Sequence, residues 1–404
     1  MDDAKILAPD SATTAETLIA RARALAPVLR SRAAATEAAR RIPPETFADL
    51  KQAGLFRIFQ PARYGGLDLD IENLVHITYE LGQGCGSAAW VYSVVTFHQM
   101  HIALFDKQAQ DAVWGANRDA LCASSYLPAG SATPVAGGFR LDGTWPFASG
   151  IDNCQWIIVG ARTAGEADSG SPDFHFCLVP KSDLAIDDNW RVMGLAGTGS
   201  KNVVLNGVFV PEHRTLRFSA AREAATPGGA LHGHPLYRLP FFAIASYCLV
   251  GPGLAIAAGA LADYVTEMKV REARGSLAGA ASKIASHVQV QMRVSEATGL
   301  LDAARLLILR DCRDTMALVR AGAPVPIEQR LRNKRDQALA MRFCKDAVQL
   351  LIEASGARGN FSDHPIQRAY RDIHAVSCHI TLNWDAVMPA YGRHMLGLDP
   401  GIVV

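Results

Sequence analysis

The sequence predicts an α+β protein in three parts: an N-terminal helical domain, a central β-domain and a C-terminal helical bundle. Three observations predict it. Good helix formers at helical spacing dominate the N-terminal part. Short β-rich runs separated by Gly, Pro, Asp and Asn occupy the middle. Apolar helical texture returns beyond Pro235 and lasts to about residue 395. At 404 residues the chain is long enough for two or three cores. The boundaries fall at 1–119, 120–218 and 219–404.

In order, SATTAETLIARARALAPVLRSRAAATEAARRIP places Leu18, Ala22, Leu25 and Leu29 on one helical face, with a kink expected at Pro27. Pro43-Pro44 opens a second helix, ETFADLKQAGLF, closed by Gly54. RYGGLDLD reads as a loop, and one further helix is expected from Ile71 to about Leu104. The runs LCASSYL, GGFRLDGTWPFASG, CQWIIVGAR, DFHFCLVP and KNVVLNGVFVP imply an antiparallel barrel or sandwich. FFAIASYCLVGPGLAIAAGALADYVTEM is apolar enough to form the centre of the bundle.

Composition narrows the function. Lys+Arg 40 against Asp+Glu 39 gives a net charge of +1, which argues against nucleic acid as the main partner. Eight cysteines without any C-x-x-C pair fit reduced thiols rather than a disulfide or zinc framework. MDDAKILAPD lacks the apolar core of a signal peptide, and no uninterrupted apolar run approaches the ~20 residues of a membrane span. A soluble, cytoplasmic protein without a membrane partner is expected.

Four stretches could carry chemistry. In FASGIDNCQWIIVGA, residues 147 to 161, Ser149 stands between an aromatic and a glycine at the entry to a core strand. That corner is either a turn or a place where backbone and hydroxyl are held close to a flat ligand. MGLAGTGSKNVV, residues 193 to 204, lacks Walker spacing and a following helix, so it reads as a loop between strands. His98 and His101 share a helical face, but no acidic third ligand completes a metal site. In RDIHAVSCHITLNWD, read as a helix, His379 shares a face with Asp372 and Asn383, so it is an oriented acid/base or a satisfied core residue.

Taken together, RIFQPARYGGLDLD, DGTWPFASG and the helix–β–helix order resemble the acyl-CoA dehydrogenase superfamily over nearly the whole chain. Three longer stretches resemble one branch of it, the two-component, reduced-flavin-dependent aromatic monooxygenases related to 4-hydroxyphenylacetate and steroid-phenol hydroxylases. These are SYLPAGSATPVAGGFRLDGTWPFASGIDNCQW, MGLAGTGSKNVVLNGVFVPEHR and SGARGNFSDHPIQRAYRDIHAVSCHITLNWD.

The resemblance implies an oxygenase component that uses reduced flavin (FADH2 or FMNH2) and dioxygen, through a C4a-hydroperoxide, to hydroxylate a phenol-, indole- or polycyclic-type ring. It places Ser149 at the reactive edge of the isoalloxazine, Trp145 as a wall of the flavin and Ser125 on the flavin side. It makes His98 a substrate-side histidine and sets His379 facing the flavin from the other side. Arg271, in REARG, matches only loosely an arginine that reaches a flavin phosphate, often across a subunit interface. Phe97, Trp145, Phe241, Phe242 and Tyr247 are expected to line the substrate pocket. The catalytic glutamate of the dehydrogenases has no convincing counterpart, and no G-x-G-x-x-G stands in strand–helix context for a nicotinamide. A separate NAD(P)H flavin reductase is therefore the implied partner and a homotetramer the implied assembly. An acyl-CoA dehydrogenase, or an oxygenase acting on sulfur or nitrogen, is the alternative on the same fold.

Overall fold

The computed structural model describes residues 13–163, 174–272 and 283–401. The stretch MDDAKILAPD and the end of the REARG motif lie outside them. Helix α1 (Ala15–Ala39) starts at Thr14, whose hydroxyl accepts the Thr17 N–H, and continues through Pro27. Helix α2 (Pro44–Gln52) opens with proline in its first turn, where the missing N–H costs nothing. The single helix expected from Ile71 to Leu104 is two: α3 (Ile71–Gly82) and α4 (Gly86–Ala103). LGQGCG supplies three glycines at alternate positions, too weak a helix former to carry the turn through, and Cys85 is extended at the break (φ −152, ψ 114). All 18 residues of α4 are buried. A short α5 (Lys107–Trp114) completes the region.

Seven strands follow: β1 (Cys122–Val135), β2 (Gly138–Ala148), β3 (Trp156–Thr163), β4 (His175–Pro180), β5 (Ala185–Asp187), β6 (Lys201–Pro211) and β7 (Thr215–Arg217). They form one sheet in the order β5-β6-β2-β1-β3-β4-β7. The sheet is mixed rather than wholly antiparallel, because β1 and β3 run the same way, with Cys122 opposite Trp156. The cause is a crossover. β2 returns along one edge of β1, and residues 149–155 then carry the chain past the start of β1 to its other edge. That crossover is the FASG corner and its 3-10 turn, Ile151–Asn153.

The C-terminal region holds α6 (Phe218–Arg222), α7 (Phe241–Ile244), α8 (Tyr247–Val270), α9 (Val288–Arg320), α10 (Ile327–Ala354), α11 (Pro365–Ser377) and α12 (Trp384–Met395). Against the expectation that no run reaches spanning length, Phe241–Val270 is long and apolar enough to cross a membrane. It lies inside the bundle, buried without a break from Tyr247 to Ala260, packed by α3, α4, α9, α10 and α11. Helix α4 is shared: it touches α8 on one side and β1 on the other. Side chains on α4 can therefore reach both the bundle and the strand whose start the crossover passes.

Candidate active site

The corner is built by breaking strand alternation. The β2–β6 register shifts between Trp145 and Ala148, and Phe147 inside that bulge has φ +64. Its ring is turned outward, 65 % exposed, and meets the Trp190 ring edge-on at 6.2 Å. The Ser149 N–H donates to the Phe147 carbonyl at 2.8 Å, and the Gly150 N–H to the Thr198 carbonyl at 3.0 Å. Gly150 has φ +73, and a Cβ there would stand 2.6 Å from Val91 Cγ1 of α4. Only glycine lets the corner sit this close to the helix. The corner is thus a turn, and also an exposed aromatic face beside a buried hydroxyl.

Ser149 belongs to a chain of contacts. Trp90 of α4 donates its indole N–H to Ser149 Oγ at 3.1 Å. Ser149 Oγ lies 2.7 Å from Ser200 Oγ, which lies 2.7 Å from Thr198 Oγ1. The loop before β6, set aside as a mere connection, therefore supplies two hydroxyls. Trp90 itself carried no signal, because a Trp in an apolar helix reads as core.

His379 comes to the same place by another route. It lies beyond the end of α11, in the turn that leads to α12, with its ring 6.1 Å from that of Trp90. The expected shared face with Asp372 and Asn383 does not exist, since the helix ends at Ser377. Asn383 caps α12 by accepting the Ala386 N–H. Asp372 accepts the Leu195 N–H at 2.6 Å and so clamps the loop that bears Thr198 and Ser200. Burial pushes the Asp372 carboxyl up to about 6. The Thr381 N–H donates to His379 Nδ1 at 3.3 Å, so the neutral ring carries its proton on Nε2. Burial first, and then the nearby Lys334 ammonium, push His379 down to about 4. Lys334 of α10 is itself only 7 % exposed and has no hydrogen-bond partner among the described residues. Burial brings it down to about 8. Near neutral pH the histidine is a neutral N–H donor and the lysine is the group that titrates.

His98 stands eight residues after Trp90 on α4, roughly 12 Å along the helix. Its Nδ1 faces the Cys122 carbonyl at 2.7 Å, which only accepts, so the proton is on Nδ1. Nε2 then accepts from the Ser124 hydroxyl at 2.8 Å. Burial pushes His98 down to about 4, the carbonyl bond opposing it. His101, three residues on, bonds to the Tyr126 hydroxyl at 2.9 Å.

The remaining expected residues divide. Ser125 donates to the Pro146 carbonyl at 2.6 Å and so braces the corner. Trp145 does not reach an open face: it is 0 % exposed, and its N–H donates to the Gly160 carbonyl at 2.5 Å. Its ring fills the space left by Gly130, where a Cβ would lie 2.1 Å from it. The bulge turns Phe147 outward in its place. Phe97, Phe241 and Phe242 join one aromatic cluster with His101, Tyr126 and Phe176, Phe97 and Phe241 at 5.5 Å. Tyr247 is not in it; its hydroxyl faces Asp311, Thr315 and Gln337 between α8, α9 and α10. Arg271 donates to the Ser355 carbonyl at 2.9 Å at the C-terminal end of α8. Helix α11 meets α8 near Gly253, so Arg271 is more than roughly 20 Å further along and does not join Ser149 within one chain. Among the described residues no three metal-ligating side chains converge.

Comparison with known proteins shows the family. Residues 14–116 match the family model described as acyl-CoA dehydrogenase, N-terminal domain, and residues 247–384 match acyl-CoA dehydrogenase, C-terminal domain. Over 388 residues, 95 % of each chain, the sequence is 41 % identical to the FADH2-dependent resorcinol hydroxylase, oxygenase component, of Rhizobium sp. (strain MTP-10005). The chain belongs to the oxygenase components of the flavin-dependent monooxygenases. The crystal structure of the HsaA monooxygenase from M. tuberculosis superposes with a TM-score of 0.90 at 35 % identity, covering 97 % of this chain and 100 % of that one. XiaF from Streptomyces sp., solved in complex with FADH2 and glycerol, gives 0.87 at 28 % identity, covering 96 % and 97 %. Reduced flavin is the cofactor of this oxygenase family, and the residues present fit it. An exposed Phe147 ring beside Ser149, with Trp90 and His379 behind, offers a flat face and a polar edge to a flat heterocycle.

Proposed function

We propose that the chain hydroxylates a phenol- or indole-type aromatic ring, with reduced flavin delivered by a separate reductase. The observation that carries this reading is the corner, where Phe147 turns its ring outward directly beside the Ser149 hydroxyl. Bound reduced flavin supplies the electrons that activate dioxygen. The chain's own residues do the rest. Ser149 holds the edge of the ring, and His379 offers its Nε2 proton as a neutral donor on the Trp90 side. At the other end of α4, His98 Nε2 is an acceptor that a phenol hydroxyl can use in place of Ser124. The aromatic cluster around Phe241 keeps that end dry.

The assembly is part of the proposal. Val288, Met292 and Leu306 of α9 and Met395 and Leu396 at the end of α12 expose apolar side chains, which a homotetramer would cover. Arg271, remote from Ser149 in its own chain, would then serve the flavin of a neighbouring subunit. A cytoplasmic location fits the reduced, mostly buried cysteines. The test is a panel of phenols, indoles and polycyclic rings, given with a generic flavin reductase and NADH. The expected result is at least one product heavier by one oxygen atom. Oxygen consumption that ends wholly in hydrogen peroxide across the panel would refute the reading.

A further inference from the structure

Four polar side chains stand in single file from α4 to the loop before β6: Trp90, Ser149, Ser200 and Thr198, ending on the Leu195 carbonyl. Its two ends fix where every proton lies. The Trp90 N–H can only donate, so Ser149 Oγ accepts it. At the far end the Thr198 hydroxyl donates to the Leu195 carbonyl at 2.8 Å, because a carbonyl can only accept. With that proton committed, the Thr198–Ser200 contact takes the hydrogen of Ser200. The Ser200–Ser149 contact then takes the hydrogen of Ser149. Every hydrogen points toward Leu195. Ser149, Ser200 and Thr198 are all buried, so water does not substitute along the file.

Ser149 is left with one lone pair and no proton to give. We infer that this one-way chain makes Ser149 an acceptor-only contact that selects the redox form of the flavin. Reduced flavin presents a ring N–H, which Ser149 accepts; oxidised flavin presents a bare ring nitrogen, which Ser149 cannot serve. Serving it would mean turning the file round, so that Thr198 donates to Ser200, Ser200 to Ser149, and Ser149 outward. The 2.8 Å Thr198–Leu195 contact would then have no hydrogen, a loss of one buried bond, although the Leu195 carbonyl would keep the Trp190 indole N–H and the Thr198 backbone N–H. Thr198 and Ser200 are thus positioning residues that act through Ser149. The inference rests on the reading that Ser149 faces the flavin.

Anaerobic equilibrium titrations of the parent protein with oxidised and with reduced flavin test it without turnover. The parent is expected to prefer the reduced form by about tenfold through this chain alone, the worth of one buried hydrogen bond. The same preference appears as a rise of about 30 mV in the two-electron midpoint of bound flavin. Thr198→Val removes the far anchor, frees Ser200 to donate to Ser149, and should shrink the preference by about tenfold, mainly by tightening oxidised flavin. Thr198→Ser should restore it. Trp90→Phe leaves the direction of the file unchanged and should keep the preference while weakening both forms. A Thr198→Val protein that keeps the parental ratio overturns the inference. So does Thr198→Val weakening both forms equally, which is what a merely structural role predicts. A parent that binds both forms equally overturns it while leaving the function standing. A parent that binds neither refutes the proposed function, and the inference falls with it.

Discussion

Acid should destabilise the chain through His98 by an amount that can be worked out. Burial holds the folded imidazole at about 4, whereas in the unfolded chain it titrates near ~6.5. Between those values the unfolded state binds more protons, so stability rises with pH. The contribution is complete above ~6.5 and is lost as pH falls toward 4. At ~1.4 kcal/mol per unit, the loss from His98 alone is about 2 kcal/mol by about pH 5 and about 3 kcal/mol by about pH 4. His98→Gln keeps an N–H for the Cys122 carbonyl and an acceptor for Ser124 but does not titrate in this range. Urea unfolding followed by tryptophan fluorescence, at one protein concentration and at about pH 7.5 and pH 5, gives the four stabilities needed. His101, His232 and His379 are displaced in the same direction and are present in both proteins; because the His98 charge also helps hold His101 down, the comparison reads His98 together with that coupling. The parent should lose about 2 kcal/mol more than the variant on acidification. Parallel losses, equal within about 0.5 kcal/mol, would show that His98 is not held neutral by the fold.

Trp145→Phe should lower the urea midpoint, costing about 1–3 kcal/mol for the unpaired Gly160 carbonyl, yet leave flavin affinity unchanged; Phe147→Ala should do the reverse. Equal effects of the two on flavin binding would contradict the placement of either ring. Gly150→Ala should cost about 2 kcal/mol or more, from its positive φ and from Val91, and Val91→Ala added to it should recover part of that loss. No recovery in the double variant would mean that the contact is not the cause. Lys334→Met should melt at or above the parent, since an unpaired buried cation is removed, and NMR titration should show the His379 pKa rising. A clear drop in melting temperature would argue that the ammonium has a partner. His379→Ala should slow product formation by ~10²-fold or more in single-turnover assays while the protein stays folded; an unchanged rate would remove His379 from the chemistry.

The order of helices, strands and helices was legible because periodicity is local. So was the FASG corner, since small and aromatic residues interrupt a strand there. The site was legible only where it coincides with such a corner. Trp145 and Phe147 are two apart and would share a face in a regular strand; the positive φ at Phe147 separates them, and no pattern in the sequence announces it. His379 was placed on a helix because SCHITLNWD continues an apolar rhythm, whereas Asn383 starts a new helix by capping it. Thr198 and Ser200 lie in a glycine-rich loop that fits no phosphate-binding motif, and nothing local to it points to their hydroxyls. Trp90 and Lys334 carried no signal, because their importance comes from neighbours 59 and 45 positions away in the chain.

The parallel seam between β1 and β3 has a thermodynamic reach of its own. The corner that we propose receives the flavin is also the segment that ferries the chain from one edge of β1 to the other. A ligand held there staples the crossover, and its free energy of binding adds to the local stability of the seam by mass action. Amide hydrogens from Cys122 to Ser125 and from Trp156 to Val159, which pair across that seam, should therefore exchange more slowly as flavin concentration rises. The β2–β6 ladder leaves β1 on the other side, so its upper rungs, Phe139 to Leu141 against Val208 to Val210, should respond far less. Cofactor supply would then set how firmly the two edges of the sheet are sewn together, and a chain starved of reduced flavin would open first along this line.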